Sequence, residues 1–231
     1  MRGLPVRSAA GLLALLFAES QINSAYEVPL APNAVRDAYF LGQRNDDATS
    51  QFFEPYRKQF PMPQSGPYVS QVELLTPYAQ VVKLSQQKTA GYSAQDAASD
   101  YQNRGDAIVI YIRIEFTRTY DYPQAAGSAK HAGQRQGQRL TAEDFWRDFD
   151  FRLSAPVSNG NSTEIVPTVI KIREADAIPT YVAGQPLDTL AGSLVRLVYD
   201  TRDVPSALVS FEVLPPGGTN VTSSFDLTTL R

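Results

Sequence analysis

The chain has 231 residues, with 21 Lys and Arg against 24 Asp and Glu, a net charge of −3, one His and no Cys. Without Cys there is no disulfide, thiolate metal site, iron–sulfur cluster or Cys nucleophile, and one His cannot build a multi-His metal centre. The acidic balance excludes a general nucleic-acid binder.

Residues 1–25 read as a secretory signal. Arg2 and Arg7 make a positive start, and Ala9 to Ala18 is an apolar run. Small residues at Ala18 and Ser20 permit cleavage after Ser20, with cleavage after Ala25 as the alternative. The run is shorter than the roughly 20 residues a membrane span needs, and no later segment approaches that length. The expectation is an exported chain, periplasmic or secreted, with no integral membrane segment in its mature form. The absence of disulfides favours a bacterial periplasm or bacterial secretion.

Residues 26–66 form a predicted helical segment. Asn33 is a candidate N-cap, because its side chain can accept from free backbone N–H groups. Val35, Ala38, Tyr39 and Leu41 follow, with Gly42 as a stop. A second start lies at Asn45-Asp46-Asp47. Phe52, Phe53, Tyr56 and Phe60 then recur at helical spacing as packing surface, and Pro61-Met62-Pro63 ends the run.

From Pro67 to the C-terminus the pattern is β. Tyr68–Leu75 and Ala79–Leu84 are strand candidates, separated by Pro77. One short helix interrupts over 93–104. Ser93 and Asp96 have the spacing of a capping box, and Gly105 ends it. In the clearest strand Ile108, Ile110, Ile112, Ile114 and Phe116 alternate with Val109, Tyr111, Arg113, Glu115 and Thr117. A period of two places the first set in the core and the second on the other face. Phe149, Phe151 and Leu153 alternate with Asp148, Asp150 and Arg152 in the same way. Further strands are predicted at 164–173, 178–183 and 193–200, and a final pair at 207–213 and 221–227 around Pro215-Pro216-Gly217-Gly218. Short strands with one wet face imply antiparallel sheets. The predicted fold is therefore mainly β: an immunoglobulin-like antiparallel sandwich over 67–231 with a short N-terminal helical appendage, and a barrel as the alternative.

Candidate chemistry is sparse. Ser85-Gln86-Gln87-Lys88 has the spacing of a lysine-activated serine nucleophile, but its companion motifs are missing in order and spacing. Glu143, Asp144, Asp148 and Asp150 are the densest acidic stretch. They raise the option of a carboxylate-dependent glycoside hydrolase, against the reading of a solvated strand face flanked by Arg147 and Arg152. Residues 123–142 carry Lys130, His131, Arg135 and Arg139 and no acid, which predicts a long flexible loop that is a solvated connection, with an anion- or partner-binding loop as the alternative. Tyr111 and Trp146 read first as residues buried in the core or under the N-terminal helices, and if exposed are candidate stacking residues for sugar rings. No catalytic residue, metal ligand or cofactor is assigned. The functional expectation is an exported, non-enzymatic binding or envelope-structural protein with a protein or polysaccharide partner. A carbohydrate-binding module or glycoside hydrolase is the alternative.

Overall fold

A computed structural model describes residues 26–88, 90–117, 146–156, 162–172, 180–182, 185–187, 192–216 and 219–231. The proposed leader and the 123–142 loop lie outside the described residues. Helix α1 (Pro32–Arg44) starts earlier than the sequence suggested. Pro32, with its φ already suited to a first helical turn, makes Ala31 the N-cap and leaves Asn33 inside the helix. Gly42 does not stop it either; Asn45, in the left-handed conformation at φ 46°, is the C-cap. The Asp46 side chain then caps α2 (Asp47–Phe53) by accepting from the Thr49 N–H at 3.1 Å. A 3-10 turn at Glu54–Tyr56 leads into strand β1 (Arg57–Gln59), so the predicted helical stripe ends short of Phe60.

The chain continues as β2 (Pro67–Leu75), α3 (Pro77–Gln87), α4 (Ala94–Arg104) and β3 (Ala107–Phe116). Helix α3 replaces the strand expected at Ala79–Leu84. The breaker Pro77 is also a first-turn residue, and the Thr76 hydroxyl accepts from the Ala79 N–H at 3.2 Å. Helix α4 forms as read: Ser93 and Asp96 close a reciprocal capping box, and Gly105 follows at φ 73°. After β3 come β4 (Asp150–Pro156), β5 (Ser162–Ile165), β6 (Val169–Ile172), the small hairpin β7 (Thr180–Val182) and β8 (Gln185–Leu187), β9 (Gly192–Asp200), β10 (Leu208–Leu214) and β11 (Val221–Asp226).

Two open antiparallel sheets result, ordered β1-β2-β3-β9-β6 and β11-β10-β4-β5, with β7-β8 as a separate pair. Neither main sheet closes into a barrel. The inward residues of both belong to one apolar cluster: Val72, Ile110, Ile112 and Leu197 from the first, and Leu153, Val209, Phe211 and Phe225 from the second. The architecture is a mainly β assembly of two facing sheets, and the three helices α1, α3 and α4 pack on one another. The α1–α3 crossing is close because Gly42 has no side chain. A Cβ there would lie 2.3 Å from the Val82 carbonyl oxygen. Among the described residues no helix is long and apolar enough to cross a membrane.

Candidate functional site

The outer face of the five-stranded sheet carries the chemistry. In β2, β3 and β9 the residues facing the core alternate with a second set, and register decides which members of that set meet. Arg57 of β1 stands opposite Glu73 of β2, Glu73 opposite Tyr111 of β3, and Tyr111 opposite Arg196 of β9. One step along, Gln59, Gln71, Arg113 and Leu194 form a parallel row. Residues directly opposite share a face with Cβ atoms roughly 5 Å apart, so each row is a continuous strip of side chains. Intervening Val72, Ile112 and Val195 are fully buried on the other face.

Helix α3 walls this surface at one end. The Gln80 amide donates to the carbonyls of Leu75 and Ala107, at 3.3 and 2.6 Å, and so ties the helix to the ends of β2 and β3. Lys83, one turn on, reaches over the sheet, and Arg104 at the end of α4 adds a second basic side chain. A groove of about 550 Å³ lies between helix and sheet. Among the described residues its lining holds five basic side chains, Arg57, Lys83, Arg104, Arg113 and Arg196, against a single carboxylate, Glu73.

Glu73 is already engaged. Its side chain is only 4% exposed and accepts from Arg57 Nε at 2.7 Å and from Lys83 Nζ. Lys83 Nζ also lies 4.9 Å from the Tyr111 ring centroid, and the Arg57 guanidinium lies at the same distance from the Phe53 ring. Glu73 therefore fixes two of the cations. Among the described residues Arg104, Arg113 and Arg196 form no ion pair, and the buried Arg196 Nε has no hydrogen-bond partner. An uncompensated guanidinium at the foot of a groove favours an oxyanion there, because its planar fork of N–H donors matches carboxylate and phosphate geometry.

Of the residues singled out from sequence, Tyr111 lies in this groove and Trp146 does not. Trp146 belongs to a 3-10 turn at residues 146–148, half-buried against the core, with the Arg147 guanidinium 5.1 Å from its ring. Lys130, His131, Arg135 and Arg139 lie outside the described residues, as do Glu143 and Asp144. Asp150 is exposed and pairs with Arg152 at 2.6 Å on the outer face of the four-stranded sheet. The Ser85–Lys88 spacing brings no nucleophile and base together. Ser85 is fully buried, its hydroxyl has no partner among the described residues, and Lys88 pairs instead with Asp100 at 2.9 Å. Among the described residues no three His, Asp or Glu side chains meet as a metal site.

Sequence reading missed Arg57, Glu73, Lys83, Arg104, Arg113 and Arg196 as a group. A partial signal existed: Arg113 follows Tyr111 on the polar face of the clearest strand, and Arg196 interrupts an otherwise apolar strand. Lys83 carries no signal of its own, because the sequence pattern predicts a strand where α3 forms. Comparison with protein-family models, curated proteins and solved structures finds no match, so the functional reading rests on these residues alone.

Proposed function

We propose that the protein is an exported, non-enzymatic binding protein that receives an anionic ligand in the groove over the five-stranded sheet. One observation carries this reading: among the described residues an acidic chain gathers five cations in a single concavity beside one buried carboxylate, which pairs with only two of them. The volume is in the range of sites for small molecules or short polymer segments, about 300–1,000 Å³. Export rests on the basic–apolar–small pattern of residues 1–25. The sheet orders support an immunoglobulin-like arrangement within the sandwich: β2-β3-β9-β6 follows the A-B-E-D order of such domains, and β11-β10-β4 follows G-F-C.

Titration calorimetry against inorganic phosphate and citrate at low and high salt tests the binding reading. Binding that weakens with salt, and falls about tenfold or more in Arg113→Ala and Arg196→Ala, is expected, since a hydrogen bond to a charged group is worth about 1.5–3 kcal/mol. Absence of binding at low salt, or equal affinity in both variants, refutes it. N-terminal sequencing of the protein recovered outside the cytoplasm tests export, with a start at Gln21 or Tyr26 expected.

A further inference from the structure

We infer that the ligand is an acidic saccharide, one bearing uronate carboxylates, which deepens the anion-binding reading and rests on it. Side-chain amides accompany the guanidinium groups. Gln59 and Gln71 share the row of Arg113 across three adjacent strands, and Gln87 lines the α3 side of the same groove. None of these three side-chain amides makes a hydrogen bond among the described residues, and neither does the Tyr111 hydroxyl.

A bare oxyanion needs donors only. An amide oxygen is an acceptor and repels an oxyanion placed beside it, so the amides contribute nothing to a phosphate or sulfate site that lysines would not supply better. A ligand with both acid groups and hydroxyls uses the full set. Carboxylates take the forked donors of Arg113 and Arg196. Hydroxyls donate to the amide oxygens and accept from the amide nitrogens of the glutamines. The half-buried Tyr111, in the row beside that of Arg113, offers an apolar body and a polar tip, the combination that suits a sugar ring with apolar and hydroxyl-bearing faces. Adjacent strands are about 4.8 Å apart, so the row of Gln59, Gln71 and Arg113 repeats at a spacing comparable to one pyranose unit. Leu75, Leu84 and Leu194 are the only aliphatic side chains in the described lining, and a mainly polar lining favours a hydroxyl-rich ligand over an acyl chain.

The test is titration of the full chain with short oligogalacturonates, oligoalginates and hyaluronan fragments, with cello-oligosaccharides as neutral controls and phosphate and sulfate as bare anions. At least one uronate series is expected to bind more tightly than every control. Arg113→Ala should weaken it roughly tenfold, and the double variant Gln59→Ala with Gln71→Ala severalfold, a larger loss than the double variant causes for sulfate or phosphate. Melting temperatures of both variants show that the fold is retained. If sulfate or phosphate binds as tightly as every uronate, or the glutamine pair has no effect, the saccharide inference fails and the anion groove stands. Neutral saccharides binding as well as the acidic ones would overturn both, and so would absence of binding by every anion.

Discussion

Glu73→Gln separates stability from binding, because the two should move in opposite directions. The carboxylate is 4% exposed and holds Arg57 and Lys83, which are themselves 38% and 27% exposed. The amide keeps the volume and one acceptor but loses the charge. Bonds to a charged group contribute about 1.5–3 kcal/mol each. The freed Arg57 and Lys83 recover part of that by turning to water, which is open to both. A net loss of about 2 kcal/mol follows, or roughly 4–8 °C in melting temperature for a chain of this size. Binding should improve. An acid group seated on Arg113 or Arg196 lies one or two strands from the carboxylate, roughly 5–10 Å. At an effective dielectric of about 40 the repulsion removed is about 1 kcal/mol, close to fivefold in Kd. Thermal denaturation and calorimetry with citrate measure both quantities on one sample. A variant that melts with the parent protein, or that binds citrate more weakly, would show that Glu73 is not the internal counter-ion of this groove.

Other perturbations probe the frame that holds the site. Gly42→Ala places a methyl group 2.3 Å from the Val82 carbonyl oxygen and 2.8 Å from Ser85 Cβ, so α1 and α3 must separate. The cost of overpacking, about 1–3 kcal/mol, outweighs the gain of roughly 1 kcal/mol in helix propensity at the upper end; a lower denaturation midpoint is expected, and an increase would contradict the close crossing. Ser85→Ala removes a buried hydroxyl that has no partner, so urea denaturation should show stability equal to or above the parent, and a loss above about 1 kcal/mol would reveal a bond the structure lacks. Acid unfolding should depend on Asp200. The Arg202 guanidinium, and then the Arg202 backbone N–H, hold its carboxyl down at about 2, below the ordinary 3.8. A depressed folded value means stability that is present above about pH 3.8 and lost as pH falls towards 2. Asp200→Asn should therefore melt below the parent near neutrality and with it near pH 2, and a gap that persists at the acid end would refute the linkage.

Local rules that act over a few residues were legible before any coordinates. The alternation of Ile108–Ile114 determined β3 and its buried face, and the same period of two gave β10 and β11. Ser93, Asp96 and Gly105 specified both ends of α4, because capping uses side chains within one turn of the backbone groups they satisfy. Where two local meanings compete, the sequence was ambiguous. Pro77 breaks a strand and also begins a helix, and only the Thr76 cap with the packing of Tyr78, Val81 and Val82 selected the helix. Gly42 ends many helices, yet here it is the contact point of two. The groove belongs to neither kind of signal. Arg57, Glu73, Tyr111 and Arg196 are separated by 16, 38 and 85 positions in the chain, and each alone is an ordinary residue on the wet side of a strand. Strand order and register brought them into one row, and register follows from which faces are buried across the whole sheet rather than from any residue's neighbours.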